Sequence, residues 1–381
     1  MKSKTKTIGI LTAGGDCPGL NACIRGVAKA AMHYGIKVIG IQDGFRGLVE
    51  NRTISLDSAA VSGLLTQGGT LLGTGRDKPH KIMMGGKSMD MTDVAVANMH
   101  RMNMDCLVCL GGNGTQKNAL RLRESGDIPV LTLPKTIDND VAQTDVSFGF
   151  DSAMAIATEA IDRLHTTATS HHRIIVCEVM GHDAGWLALG AGVAGGADVI
   201  LIPEIPYDLA VVARHLSERR RNGKRFSIIA VAEGVRSKTE AQQSSAPASK
   251  KKSDKSEKQD KPAPPKESSE EELHLVQEPV ASRIARKLQQ LTGTEARVTS
   301  LGHVQRGGQP TAHDRLLSTR LGTRAGTLLA EGVYDVMVAI QGGEAVAVPL
   351  ASVAGIKKLV PRDHTWIETA RLVETCLGDD L

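Results

Sequence analysis

Between Leu133 and Asp140 the chain reads Leu-Pro-Lys-Thr-Ile-Asp-Asn-Asp, directly beyond an apolar run. A reverse turn needs one Asp or Asn, not Thr136-x-Asp138-Asn139-Asp140 behind Lys135. These residues suit proton removal from a substrate hydroxyl by one carboxylate, beside a second that helps hold Mg²⁺. Phosphoryl transfer uses the same parts, together with cations on the migrating group.

Glycine-rich turns supply the complementary chemistry. They are Ala13-Gly-Gly-Asp-Cys-Pro-Gly-Leu-Asn21, Gln67-Gly-Gly-Thr-Leu-Leu-Gly-Thr-Gly-Arg76, Gly111-Gly-Asn-Gly-Thr115, and Gly307-Gly308 after His303 and Arg306. All four are expected at strand ends. Paired glycines there let backbone N–H groups approach a phosphate at a helix N-terminus. A single such turn reads equally well as a tight corner. Three feeding one sheet edge, one ending in Arg76 with its bidentate fork, point to a polyphosphate site. Two other motifs are decoys. Gly86-Lys87-Ser88 resembles the end of a P-loop, but Lys81 stands where that loop needs glycine. Gly190-x-Gly192-x-x-Gly195 precedes a strand instead of following one, so close helix packing explains it.

Elements of two kinds must position these groups. Thr7–Thr12, Lys37–Ile41, Cys106–Leu110, Pro129–Leu133, Ile174–Val179, Val199–Ile202 and Ser227–Val231 are uninterrupted aliphatic runs, as parallel strands covered on both faces require. Helical spacing occupies Asn21–His33, Thr115–Glu124, Asp151–Leu164 and Leu209–Arg220 between them. The alternation predicts an α/β protein with two doubly wound, Rossmann-like domains and mainly parallel sheets. At 381 residues the chain is long enough for two cores.

Composition narrows the class further. Forty glycines and few aromatics (2 Trp, 3 Tyr, 4 Phe) suit aliphatic α/β packing and argue against an RNA-stacking platform. A net charge of +4, with both signs dispersed, offers no nucleic-acid footprint. Cys106 and Cys109 form C-x-x-C inside an apolar run, which reads as small side chains in a buried strand, not a redox pair. No disulfide framework is implied, and no apolar run is long enough to span a bilayer, so a cytoplasmic location is expected. Residues 236–272 lack Val, Ile, Leu, Met, Phe, Trp, Tyr, Cys and Gly, and are expected to form a disordered insertion. Order is expected to resume near Pro279, with Val280, Ile284, Leu288 and Leu291 on one helical face and Gly293 as a stop.

The ordered motifs resemble the phosphofructokinase A family, the 6-phosphofructokinases of glycolysis, along the whole chain outside that insertion. The matching residues are Gly14-Gly15-Asp16-x-Pro18-Gly19-x-Asn21, Gly111 to Thr115, and Pro134 to Asp140. Farther on come Glu178-Val-Met-Gly181, Gly195-Gly-Ala-Asp198 and Gly302-His-Val-Gln-Arg-Gly-Gly308.

The resemblance implies transfer of a phosphoryl group from ATP to the 1-hydroxyl of fructose 6-phosphate. It implies a donor domain (1–149 with 306–355) and a sugar-phosphate domain (150–305 with 356–381). Asp138 would be the proton acceptor, Asp140 its electrostatic and Mg²⁺ partner, and Thr136 a contact to the migrating phosphate. Gly15 and Arg76 would stabilise its charge. Gly15, Arg76, Asp77, Gly112, Asn113, Gly114 and Thr115 would bind the donor, with Asn113 and Asp140 as metal positions. The sugar phosphate would meet Thr136, Asp138, Met180, Gly181, Glu233, His303 and Arg306. Arg173 and Arg297 would reach a neighbouring subunit's site, making a homodimer or homotetramer with shared active sites.

Several residues depart from the family pattern. Asn113 stands where many members carry a metal-binding Asp. Lys135 resembles pyrophosphate-using relatives, whereas Gly114 resembles ATP users; together they resemble the mixed-substrate subgroup. His182 replaces an Arg. Arg25 is kept, but Lys29, Ser58 and His165 stand where bacterial relatives place effector-site arginines. The alternatives implied are a pyrophosphate-dependent enzyme and a catalytically weak sugar-phosphate-binding subunit.

Overall fold

The apolar runs fold as strands because both of their faces find cover. Ile8, Ile10, Leu11 and every residue from Cys106 to Leu110 are fully buried. The computed structural model describes residues 3–245 and 278–380. Its first strands are β1 Thr7–Ala13, β2 Lys37–Ile41, β3 Thr53–Ser55, β4 Ile82–Met84, β5 Lys87–Met89, β6 Cys106–Gly111 and β7 Val130–Pro134. Then follow β8 Ile174–Val179, β9 Val199–Leu201, β10 Ser227–Ala232, β11 Ala296–Ser300, β12 Val336–Gln341 and β13 Glu344–Pro349.

Among the described residues, seven strands form one sheet in the order β13-β12-β7-β6-β1-β2-β3, and four form another in the order β11-β8-β10-β9. The smaller sheet is wholly parallel. The larger is parallel except where β3 and β13 pair at its edges. This is the expected α/β architecture. One apolar cluster runs from Ile8 and Val108 in the large sheet to Val176 and Ile229 in the small one.

Neighbouring parallel strands end on the same side, and that fact assembles the site. The C-terminal ends of β1, β6 and β7 bring together the turns beginning at Gly14, Gly112 and Lys135. Those of β8, β10 and β11 bring together Met180–His182, Glu233 and the 3₁₀ turn Gly302–Arg306. That turn packs on the helix Phe150–His171, whose start is held in turn by the next helix, Ala312–Glu331. Its buried Asp314 accepts hydrogen bonds from Gly149 N (3.0 Å), Ser152 N (2.9 Å) and Ser152 Oγ (2.6 Å).

Cys106 and Cys109 both lie in β6, but on opposite faces, one in each of two apolar clusters. They cannot meet as a redox pair. The glycines of the G-x-G-x-x-G run are contact points: a Cβ at Gly190 would lie 2.6 Å from Met154 Sδ, and one at Gly192 2.7 Å from Ile200 Cδ1.

Three expectations need correcting. Gln67–Arg76 does not follow a strand; it leaves a 3₁₀ turn at Leu64–Thr66 and is stitched to β1 by Gly14 N–Gly75 O at 2.9 Å. Order extends into the segment expected to lack it. Ser237 pairs with Tyr207, and Lys238–Ser245 is a helix that begins with Ser237 and Glu240 bonded to each other. Caps and ion pairs replace apolar burial there, with Arg283 on Glu240 at 2.9 Å. Residues 246–272 of that segment lie outside the described residues. Leu291 is 47% exposed, so the buried face of Val280–Thr292 is Ala281, Ile284, Ala285 and Leu288.

Candidate active site

The turns beyond β1, β6 and β7 line a cavity of about 360 Å³. Gly15, Arg76, Asp77, Gly112, Asn113, Gly114, Thr115, Lys135, Thr136, Asp138 and Asp140 all face it. Arg306 and His182 reach it from the side of the small sheet.

Local bonds fix the catalytic loop. Asp138 N donates to Thr136 Oγ1 at 3.0 Å, and Ser147 Oγ to Thr136 O at 2.9 Å. Asn139 adopts a left-handed φ of 51°, a conformation its short amide tolerates, and Oδ1 accepts from Ser147 N at 3.0 Å. Asp138 and Asp140 therefore flank a residue anchored inward.

Burial and charge together set the protonation of Asp138. Burial, with Asp140 and Glu233 close by, pushes Asp138 up to about 6; Arg306 and His182 pull the other way. A carboxylate titrating there is ionised at neutral pH yet more basic than an ordinary aspartate. Lys135 is buried, donates to Gly15 O, and has its pKa lowered by that burial. The Arg306 guanidinium packs against Gly15, where a Cβ would come within 2.9 Å of it. At Gly114, by contrast, a Cβ would meet nothing within 4 Å.

The residues expected to hold Mg²⁺ fit that ion. Asn113 Nδ2 donates to Asp140 Oδ2 at 2.8 Å and to Asp140 O at 3.0 Å, while its own Oδ1 is buried with no partner. An unpartnered oxygen beside a carboxylate is hard-donor chemistry. Among the described residues no three or more His, Cys, Asp and Glu side chains gather into a metal cluster. Mg²⁺ does not need one, since it is commonly held by one or two carboxylates plus substrate phosphates.

Six other residues expected at the site do not line this cavity: Met180, Gly181, Glu233, His303, Arg173 and Arg297. Glu233 stands just behind it, accepting from His182 N at 2.8 Å. Met180 and Gly181 follow β8 in the same row, and His303 is exposed on the Gly302–Arg306 turn. Arg173 and Arg297 lie together elsewhere, both paired with Glu295, the first at 2.7 Å. Gly307-Gly308 serves packing as well, since a Cβ at Gly68 would strike Gly308 O.

Asp16, Lys78, Asn118 and Lys357 also line the cavity, and the last three are not picked out by motif reading. Asp16 lies inside a quoted turn, so its position is the signal. Lys357 arrives from the C-terminal segment and is paired with Asp183. Nothing in its surroundings in sequence marks it. Asp77 is held by Arg46, with Nη2–Oδ1 at 2.9 Å.

A family model for phosphofructokinase matches residues 7–329. The chain belongs to the phosphofructokinase family. It is 52% identical over 373 residues to the ATP-dependent 6-phosphofructokinase of Propionibacterium freudenreichii, covering 98% of this chain and 99% of that one. It is 53% identical over 380 residues to the protein of the same name from Spirochaeta thermophila, covering 98% of each. Among solved structures, phosphofructokinase from Pichia pastoris in the T-state superposes with a TM-score of 0.76 at 30% identity. That match takes in 97% of this chain but 39% of the longer yeast chain.

Proposed function

We propose that this phosphofructokinase transfers the terminal phosphoryl group of ATP to the 1-hydroxyl of fructose 6-phosphate, giving fructose 1,6-bisphosphate. The observation that carries the reading is the meeting of Asp138, held up at about 6, with Arg306 and three glycine turns around one cavity. The names of its relatives support the same activity and the same donor.

Asp138 takes the proton of the 1-hydroxyl as the oxygen attacks. Its raised pKa makes it a stronger base without leaving it protonated at pH 7. Arg76 carries no ion pair among the described residues, so its guanidinium is available to the migrating group. Gly15 and Arg306 line the path between donor and acceptor, and Thr136 is held at its edge. Gly112, Asn113, Gly114 and Thr115 open a helix N-terminus toward the donor's phosphates. Asp140 and Asn113 Oδ1 would hold Mg²⁺, which when bound neutralises phosphate charge.

The sugar phosphate is assigned to Met180, Gly181, Glu233, His303 and Arg306, with Arg173 and Arg297 serving the site of a second subunit. On that reading the enzyme is a homodimer or homotetramer in the cytoplasm. The donor side is 1–149 with 306–355, and the acceptor side 150–305 with 356–381.

Phosphorus NMR of purified protein with fructose 6-phosphate, ATP and Mg²⁺ tests the activity. Resonances of fructose 1,6-bisphosphate growing as ATP is consumed are expected. Consumption of ATP with no new sugar-phosphate resonance refutes the acceptor, and no consumption refutes the reaction.

A further inference from the structure

Lys358 brings a half-buried ammonium against the catalytic loop from a segment that no motif marks. Its Nζ donates to Asn139 Oδ1 at 3.1 Å, Thr144 O at 2.9 Å and Asp145 O at 2.9 Å. Three protons meet three acceptors, and all three acceptors belong to the loop that carries Asp138 and Asp140. The backbone joins in: Lys358 N donates to Asp140 O at 2.8 Å, and Lys357 forms a β-bridge with Val141. On its other side, Lys358 Nζ lies 5.4 Å from the ring centre of Trp186, whose Nε1 donates to Lys358 O at 3.0 Å. Trp186 begins the helix Trp186–Ala194, which packs on the small sheet.

Burying a cation carries a desolvation cost that an apolar residue of similar size would avoid. The arrangement is therefore poorly explained as filling. Its bonds converge on the backbone carbonyls and the amide that set the loop's path, and Asn139 is the residue between the two carboxylates. Lys358 does not line the cavity, so it touches no reacting atom.

We propose that Lys358 is a positioning residue for phosphoryl transfer, pinning the Asp138–Asp145 loop through Asn139 and so aiming the Asp138 and Asp140 carboxylates. This rests on the function proposed above. Through Trp186 the same side chain ties the donor-side loop to the small sheet, so the carboxylates are aimed relative to the acceptor side as well. A misplacement of about 1 Å at a reacting group costs on the order of 10²-fold in rate.

The test combines Lys358→Met, Lys358→Arg, Asn139→Ala and the double variant Lys358→Met/Asn139→Ala. Lys358→Met is expected to lower kcat about 10²-fold while KM for fructose 6-phosphate stays within about twofold. Lys358→Arg, which keeps charge and donors, should recover at least about a tenth of wild-type kcat. In the Asn139→Ala background, Lys358→Met should cost less than about threefold more, because a residue acting through Asn139 has little left to lose. A full additive loss in that background overturns the proposal, as does a rise in KM with kcat unchanged. Amide hydrogen exchange across residues 137–147 should be faster in Lys358→Met than in wild type, and unchanged exchange overturns the proposal too. That readout needs no turnover, so an inactive wild type would refute the proposed reaction and leave this inference separately decidable. Should Lys358→Met not fold, Lys358→Gln carries the same comparisons.

Discussion

Asp138 is pressed by burial and by two neighbouring carboxylates, and relieved by Arg306 and His182. Its working form is the carboxylate, so activity should fall as pH drops through its folded value of about 6 and hold above it. Asp138→Asn removes the base and is expected to lower kcat roughly 10²–10⁴-fold, abolishing that acid limb. Sugar-phosphate binding should survive, measured by calorimetry, as should the melting temperature. A variant with near wild-type kcat would remove Asp138 from the mechanism. The carboxylates were legible because Thr-x-Asp-Asn-Asp is more polar chemistry than a turn requires. Lys357 and Lys358 were not, because a lysine pair in a C-terminal segment looks like solvated surface until the fold brings it beneath the loop. Asn113 was legible as a position, whereas its unpartnered buried oxygen is a property of the folded chain.

The helices Leu20–His33 and Ala312–Glu331 meet backbone to backbone. A Cβ at Gly322 would lie 2.7 Å from Val27 N and 2.9 Å from Gly26 C. Gly322→Ala should therefore force the pair apart at a cost of about 1–3 kcal/mol, seen as a lower melting temperature. Because Ala312–Glu331 also holds Gly149 and Ser152 at the start of the helix on which the Arg306 turn packs, KM for fructose 6-phosphate should rise as well. An unchanged melting temperature would mean that the contact is looser than described. The strands that carry the site were readable because they are continuous aliphatic runs. Ala296–Ser300 is half exposed at a sheet edge, and its polar residues concealed it. The helix Ala312–Glu331 buries glycines and Ser318 along with leucines, which blurs an apolar stripe. The helix Lys238–Ser245 has no apolar side chain larger than alanine, so only its capping pair could have announced it.

Arg173 and Arg297 stand away from their own chain's cavity, so the role proposed for them requires a second subunit. Arg297→Ala should raise KM for fructose 6-phosphate while leaving Asp138 in place. Mixing Arg297→Ala subunits with Asp138→Asn subunits should then restore part of the activity, since some shared sites in a mixed oligomer receive both intact residues. No recovery after verified subunit exchange would return both arginines to a role within one chain. The central strands of both sheets follow from sequence periodicity, but which chain completes which site does not.

The donor side of the cavity has room for ATP. Gly114 leaves its side of the cavity open, and an aspartate there would set a carboxylate against the donor's α-phosphate. Lys135 would attract phosphate oxygens in either donor and exclude neither. The most direct measurement is kcat/KM for ATP and for pyrophosphate, at saturating fructose 6-phosphate and equal Mg²⁺, in wild type and Gly114→Asp. Wild type should prefer ATP, and Gly114→Asp should lower the ATP value at least about tenfold while sparing pyrophosphate. A wild-type preference for pyrophosphate would rule out ATP as the donor.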